Sequence, residues 1–517
     1  MSRPTRASKP LVLLTVCLSV LAINIDTTIV NVALPTLGRE LDAGTRELLW
    51  IVDGYNLAFA ALVLAMGSLS DKLGRRPAML VGLGGFALTS GIAALVGSST
   101  ALIALRFLMG AFAAVVFPTT LSIIANAFTE RRERAAALGI WGAAVGVGVA
   151  AGPVTGGLLL EHFTWHAVFW ALVPVALLAM LMTTLFVPES RDPSVPALDR
   201  LGLAISVAGL GLLTYTIIEA PERGWTAPAT LGGFAGSAVL VGLFIAQERR
   251  APHPMLDVTL FRDRRFSAAA VAVTISYFAL FGFIFLITQY FQFVRDYSAL
   301  GTGSRILPVA TSIAVASILG GALAPRIGTK VVVATGMTLL GSAFLWVATV
   351  PVDASYATVI VPQMVLMGTG LGFISTPATE SILQVLPPAR AGVGSAVNDA
   401  TRELGGTLGV AVIGSLFSSL YADRLLSTLS GVSPAQAEQA AESVAVSDAL
   451  ATADPALLDT VNDAFLVGLH AGCLTIGLLC LAGALFSALA LPGRGFVPPH
   501  AVADEPGPEL ATANLAG

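Results

Sequence analysis

The sequence predicts an all-α polytopic membrane protein with fourteen membrane helices and both termini in the cytoplasm. Three observations predict it. First, of 517 residues 55% are hydrophobic and only 12% are charged, with a mean hydropathy of +0.82. Soluble domains carry roughly a quarter charged residues, so 28 basic and 32 acidic side chains cannot coat two or three globular domains. Second, apolar runs of about twenty residues, the length that spans a bilayer as a helix, follow one another along the chain. Third, Lys and Arg fall unevenly between alternate loops. Ordinary soluble enzymes, nucleic-acid binders and disulfide scaffolds are excluded on these grounds.

The first run, 10–34, follows a short basic segment, 1–9. It is too long for a signal peptide, carries Asp26, and reaches Pro35 without an Ala-x-Ala site, so it reads as a membrane helix. Runs at 48–70, 78–97, 100–125, 135–160 and 166–187 complete a first group of six (10–187). Two more, 201–219 and 229–247, lie within 188–266 between cytoplasmic linkers. The last six are 267–291, 304–324, 330–350, 356–382, 392–420 and 464–491, within 267–491. With an even number of spans and the N-terminus inside, twenty Lys and Arg fall in inside segments and six in outside loops; Arg106 and Arg402 lie within spans. That asymmetry sets the orientation. The outer segment 421–463, rich in Ala, Ser, Asp and Glu, reads as a mobile surface loop, with a helical flap over the external opening as the alternative. The Pro/Gly-rich tail, 492–517, is expected to be disordered. Cys17, Cys473 and Cys480 lie in apolar runs and read as small packing residues; Cys473 and Cys480 are about 10.5 Å apart along one helix, too far for a disulfide.

An internal repeat runs through the chain. Gly67-Ser-Leu-Ser-Asp71-Lys-Leu-Gly74-Arg75-Arg76 aligns with Gly321-Ala-Leu-Ala-Pro-Arg-Ile-Gly328-Thr-Lys330. Leu108-Met-Gly110 aligns with Leu366-Met-Gly368, and Arg134-Ala-Ala with Arg390-Ala-Gly, all within four residues of one offset. Spans 1–6 therefore resemble spans 9–14, with spans 7 and 8 inserted. Two similar bundles that rock about a shared cavity are a common transporter design.

Several segments carry a more specific resemblance. Gly67 to Pro77 resembles the signature loop of the major facilitator superfamily. Gly146-Val-Gly148-Val-Ala-Ala-Gly152-Pro153-Val-Thr-Gly156-Gly157 resembles its antiporter motif, and Arg106 with Gly110 and Pro118 resembles its helix 4 motif. Asp26-Thr-Thr-Ile-Val-Asn31-Val-Ala-Leu-Pro35, Arg402-Glu-Leu-Gly405-Gly406-Thr-Leu-Gly409 and the fourteen spans are similar to the 14-helix drug:H+ antiporter-2 family. Leu49-Trp50-Ile-Val-Asp53-Gly-Tyr55 resembles its quaternary-ammonium branch. The resemblance implies the major facilitator fold and a bacterial plasma-membrane location. The chain departs from that branch in three places: span 10 lacks an acidic residue, His166 stands where Arg is commoner, and Arg402 is more typical of relatives outside the branch.

Ionisable groups inside a bilayer are costly and are functional candidates by default. Asp26, Asp53 and Arg106 are expected at similar heights in the first bundle. Asp26 is read as the proton carrier and Arg106 as the group that tunes it, since burial raises a carboxyl pKa and a guanidinium lowers it. The alternative is a permanent structural pair of Arg106 with Asp26 or Asp53. Asp53 and Tyr55, with Trp50, suit a lipophilic cation; alternatively Asp53 meets water at the start of its helix. Asp399 is a candidate substrate residue or a local partner of Arg402 at i+3. Glu380, with no evident local base, is a second proton candidate. Glu403 is read as facing Arg402.

Gly67, Asp71, Gly74, Arg75 and Arg76 are read as a cytoplasmic gating loop that latches the bundles. Gly148, Gly152, Gly156 and Gly157 are read as close-packing positions that seal against proton leak, with Pro153 permitting a bend. Phe281, Phe283, Phe285 and Tyr290 are read chiefly as lipid-facing or core residues, some with a cavity-lining role. No zinc spacing, catalytic triad or Gly-x-x-x-x-Gly-Lys-Ser/Thr occurs, so an enzyme or direct ATP drive is not expected. The expected function is proton-driven export of amphipathic, lipophilic, cationic or neutral compounds by a monomer. The proton gradient supplies the energy, and no organic cofactor, metal or nucleic-acid partner is expected. Export of a natural product or lipid is the nearest alternative, a non-transporting sensor a more distant one.

Overall fold

The computed structural model describes residues 8–191, 199–384, 391–429 and 432–491. The segments before 8 and after 491, and linker residues 192–198, lie outside the described residues, so the expectations for both termini are not addressed there.

The described residues form helices and no strand. The first six long helices are α1 (Lys9–Glu40), α2 (Thr45–Leu73), α3 (Arg75–Ala93), α4 (Ser99–Ala127), α5 (Arg131–His162) and α6 (His166–Phe186). The pair α7 (Arg200–Arg223) and α8 (Pro228–Arg250) follows. Next come α9 (Arg264–Val294), α10 (Ala299–Ile327), α11 (Thr329–Val347), α12 (Tyr356–Ile382) and α13 (Ala391–Thr428). Two short helices, α14 (Pro434–Glu442) and α15 (Val444–Ala453), precede the last long one, α16 (Leu458–Ala490). Among the described residues, thirteen helices are long and apolar enough to cross a membrane. The fourteenth expected span is α3, a helix of 19 residues whose first turn spends two positions on Arg75 and Arg76. Several helices outrun their apolar runs, because polar turns continue the backbone hydrogen bonding: α1 reaches Glu40 and α13 reaches Thr428.

The repeat is visible in the packing. In the first half α1 packs on α4, α5 and α6, α2 on α4, and α3 on α4 and α6. In the second half α9 packs on α12, α13 and α16, α10 on α12, and α11 on α12 and α16, which are the equivalent pairs. Matching residues make matching contacts. A Cβ on Gly110 would meet the Tyr55 carbonyl oxygen at 2.2 Å, and one on Gly368 the Val309 carbonyl oxygen at 2.5 Å. Gly74 and Gly328 turn the α2–α3 and α10–α11 corners at φ of +124° and +96°, which only glycine adopts without strain. The halves meet along two seams, α2 with α13 and α5 with α10; α7 packs on both α2 and α13.

The face reached by the ends of α1, α2, α9 and α13 at Glu40, Thr45, Val294 and Thr428 is closed. Every residue from 281 to 293 of α9 is buried, as is nearly all of α1 beyond Asp26. Gln292 Nε2 donates to the Val32 carbonyl oxygen at 2.9 Å, joining the two halves. The segment expected as a mobile loop is instead an ordered flap on this face. Ser433 and Gln436 form a capping box on α14, and Tyr421 of α13 is hydrogen-bonded to Ser447 of α15. The flap reaches the other half, where Ala445 Cβ lies 3.6 Å from the Cβ position of Gly38. Toward the opposite face, which carries the ends at Lys9 and Ala490, α5 loses its neighbours: Gly139, Gly142 and Gly146 have open space beside them. The conformation is therefore closed on the flap face and open on the other.

Candidate functional site

Close approach of α2 to α4 builds the site. Gly110 lies against the Tyr55 backbone and Gly54 receives the Phe107 ring of α4, so the two helices run close and Arg106, one turn before Gly110, reaches across. Arg106 Nε donates to the Ile51 carbonyl oxygen at 2.9 Å, and its Nη1 donates to Asp26 Oδ2 of α1 at 2.7 Å. The guanidinium lies over the Tyr55 ring, 4.4 Å from its centroid. Asp26 and Tyr55 are 0% exposed and Arg106 is 1% exposed. Asp26 Oδ1 has no hydrogen-bond partner. A buried charge pair must be closely matched to repay desolvation, and this one is: the cation has a carboxylate, a carbonyl and an aromatic face.

The structure thus brings together Asp26, Arg106 and Tyr55, but not Asp53. Asp53 is fully buried, both carboxylate oxygens lack a hydrogen-bond partner, and Asn56 is the polar side chain beside it. It neither pairs with Arg106 nor meets water at the start of its helix. Nor do its aromatic neighbours form one cage. Tyr55 turns to Arg106, while Trp50 packs against Phe107 of α4 and Tyr215 of α7.

A second polar cluster lies in the other half, on α12 and α13. Arg402 Nη2 donates to Thr379 Oγ1 at 3.2 Å, and Thr379 donates to Asn398 Oδ1 at 3.1 Å. The Arg402 guanidinium is 5.2 Å from the Tyr277 ring centroid. The expected local pair does not close: Asp399 is buried, and its Oδ2 has no hydrogen-bond partner. Glu403, read from sequence as facing only Arg402, lies within electrostatic reach of Asp399 and Arg402 and, across the seam, of Tyr55. That reach across the seam left no signal in the spacing. Glu380 is exposed and lies within electrostatic reach of Arg265, the base that sequence proximity did not reveal. Asp26 lies about 25 Å along α1 from Lys9, whereas Asp399 is only about 12 Å along α13 from Ala391, so the two clusters occupy different depths.

The loop from Gly67 to Arg76 finds its partners within its own half. Arg75 Nε pairs with Asp71 Oδ1 at 2.7 Å, and Arg76 Nη2 donates to the Thr184 carbonyl oxygen of α6 at 2.5 Å. Among the described residues these side chains make no hydrogen bond or ion pair to the other half. On α5, Gly148, Gly152 and Gly156 meet α1, with Cβ positions 2.8 Å from Asn24, 2.0 Å from Thr28 and 2.7 Å from Ile29. Gly157 instead faces α10, with its Cβ position 2.5 Å from the Ala299 carbonyl oxygen, and the Pro153 carbonyl oxygen lies 2.1 Å from the Cβ position of Gly303. The aromatic group on α9 is core: Phe281, Phe283, Phe285 and Tyr290 are all buried. Cys17, Cys473 and Cys480 are free thiols.

Comparison with known proteins gives concordant results. The family model described as Major Facilitator Superfamily matches residues 16–410. The multidrug efflux pump LfrA of Mycolicibacterium smegmatis is 35% identical over 94% of the chain and 97% of its own length. The tetracenomycin C resistance and export protein of Streptomyces glaucescens is 33% identical over 80% of the chain and 76% of its own length. Among solved structures, a bacterial homologue of the human lysosomal transporter Spinster, inward-facing and unoccupied, has a TM-score of 0.64 at 17% identity, covering 95% of the chain and 98% of that protein. That likeness concerns the fold alone.

Proposed function

Since the chain belongs to the Major Facilitator Superfamily, a family of transporters, we propose that it is a proton-coupled antiporter that exports amphipathic, lipophilic, cationic compounds. With thirteen helices of membrane-spanning length and bacterial relatives, it is a multi-pass protein of the bacterial inner membrane. Its open face is cytoplasmic and its flap face external, the orientation that the twenty-to-six division of basic residues favours. Helices α1–α6 form one moving bundle, and α9–α13 with α16 the other.

The observation that carries the reading is the enclosed Asp26–Arg106 pair. A proton on Asp26 cancels the carboxylate charge and frees Arg106 from α1, while the Ile51 carbonyl and the Tyr55 ring still hold the guanidinium. Protonation thus changes the balance between α1 and α4 without leaving a bare buried cation. The two clusters hold three carboxyl groups, Asp26, Asp399 and Glu403, against two guanidinium groups, Arg106 and Arg402, and Asp53 is a further buried carboxyl on α2 outside them. That excess of acid favours a cationic cargo. Gly157 against the Ala299 backbone and Gly303 against the Pro153 backbone support a seal on the external side. The proton gradient is the energy source, and the monomer is the working unit.

Everted membrane vesicles test the proposal: with an imposed pH gradient, ethidium should accumulate inside and leave again when an uncoupler is added. Accumulation indifferent to the uncoupler would exclude proton drive. The resemblance to a tetracenomycin C resistance and export protein favours one alternative, export of a single natural product. In that case ethidium would not move, while proton release would follow addition of the specific compound.

A further inference from the structure

The two seams between the halves are unlike each other. The α2–α13 seam is overlaid by α7, which packs on both helices, and Trp225 at the end of the α7–α8 turn donates to Ser419 of α13 at 3.0 Å. Among the described residues no helix overlies the α5–α10 seam from outside. The flanks of that seam are apolar and exposed: Val147 is 58%, Val315 60% and Ile318 75% accessible. In a bilayer such residues face acyl chains.

The uncovered seam has the shape of a wedge. At the flap end it is shut, because Gly157 lies against Ala299 and Gly303 against Pro153 with no side chain between. Immediately below, the helices part around a pocket. Val149 and Ala150 of α5, Leu280 and Phe283 of α9, and Ile306 and Ala310 of α10 line it, and all of its lining residues are apolar. Lower still, Gly146, Gly142 and Gly139 have nothing beside them. The opening therefore widens toward the open face. Phe283 also lines a second pocket, inside the C-terminal half, with Gln363, Tyr290 and Met364. There Gln363 Nε2 is buried without a hydrogen-bond partner, a donor that a ligand acceptor would satisfy.

We propose that lipophilic compounds dissolved in the bilayer enter sideways between α5 and α10, beneath the Gly157–Ala299 and Pro153–Gly303 contacts. The pocket at Ala150 and Ala310, about 30 Å³ in this conformation, marks where the helices part to admit the apolar part of the compound. Phe283 separates that portal from an inner cavity of about 10 Å³, where the Gln363 amide is the donor that an entering acceptor group would meet. The α2–α13 seam takes no part, because α7 covers it. The proposal rests on the export reading for its cargo, but not for its geometry.

The test uses the full-length protein in lipid nanodiscs containing an apolar trifluoromethyl-phenyl-diazirine dissolved in the lipid. After illumination, labelled residues are mapped by mass spectrometry in the wild type, Ala310→Trp, Ala150→Trp and, as a control on the exposed face of α8, Val239→Trp. The expected result is label on Val149, Ala150 and Ala310 in the wild type and in Val239→Trp. Label at Val149 should be lost in both portal variants. Label on Val315 and Ile318 should persist throughout, which shows that each variant is folded. Wild-type label confined to those outer residues would overturn the proposal, as would equal label at Val149 in either correctly folded portal variant. Ethidium export by the same proteins separates the two readings. Portal label with no export of any dye leaves the portal standing and defeats the multidrug reading. Proton-driven export that is undiminished in Ala310→Trp and Ala150→Trp, with no portal label, defeats the portal alone.

Discussion

Replacing Arg106 with Gln removes the cation from a site closed to water and leaves Asp26 buried with no ion-pair partner. The bonded atoms are 2.7 Å apart, which places the charge centres about 4 Å apart, and two unit charges at that distance attract by about 4 kcal/mol at an effective dielectric constant of about 20. Truncating one member of a buried pair typically costs about 3–5 kcal/mol, mostly through the partner left uncompensated. The matching single change, Asp26→Asn, leaves Arg106 with the Ile51 carbonyl and the Tyr55 ring, so its cost is smaller. In the double variant neither charge remains, and most of the penalty disappears. Unfolding of all four proteins in mixed sodium dodecyl sulfate and dodecyl maltoside micelles should give a coupling energy of at least about 1.5 kcal/mol, well outside the additivity expected of independent sites. If the two single costs simply add, Asp26 and Arg106 are not energetically joined, and the pair cannot be the element that a proton switches.

Three further outcomes follow from particular contacts. Gly157→Ala places a Cβ 2.5 Å from the Ala299 carbonyl oxygen and should part α5 from α10, giving a passive proton leak in proteoliposomes, whereas Gly142→Ala, with open space beside it, should not leak. Asp448 in α15 has its carboxyl pKa raised by burial, with Asp296 raising it further and Arg39 opposing. A raised acid pKa means that docking of the flap is strongest below the unfolded carboxyl value, near about 3.9, and weakens as pH rises through the folded value. Asp448→Asn should therefore slow hydrogen exchange across 434–457 at pH 7 and flatten its dependence on pH. Glu403→Gln removes a carboxyl within electrostatic reach of Tyr55 across the α2–α13 seam, so it should weaken ethidium binding by the purified protein while leaving the unfolding transition nearly unchanged.

Much of the architecture was legible because a bilayer permits so few solutions. Apolar length fixed the helices, and near-constant offsets joined Gly74 to Gly328 and Gly110 to Gly368, pairs whose structural duties prove equivalent. The fourteenth span was the hardest to certify by composition, since Arg75 and Arg76 occupy its first turn. For 421–463 the structure shows the helical flap, the alternative reading, rather than the mobile loop; Ser433 and Gln436 spell out a capping box, but an alanine-rich helix that docks through Tyr421 and Ser447 has too little apolar patterning to announce itself. In the site, the rarity of charge within spans singled out Asp26 and Arg106. Rotation about a helix axis was not legible. It sends Tyr55 to Arg106 but Trp50 to Tyr215, gives Arg402 to Thr379 rather than Asp399, and leaves Glu403 within electrostatic reach of Tyr55 in the opposite half. Glu380 and Arg265 are more than a hundred residues apart, so only the packing of α9 against α12 brings them within reach.

Substrate-driven proton release tests the central claim most directly. Purified protein is placed in proteoliposomes holding a pH gradient and a trapped pH-sensitive dye, and ethidium is added to the wild type and to Asp26→Asn. The account predicts that ethidium discharges the gradient in the wild type and leaves it intact in Asp26→Asn, which still binds the dye. Discharge at the wild-type rate by Asp26→Asn would contradict the account and assign the proton to another group.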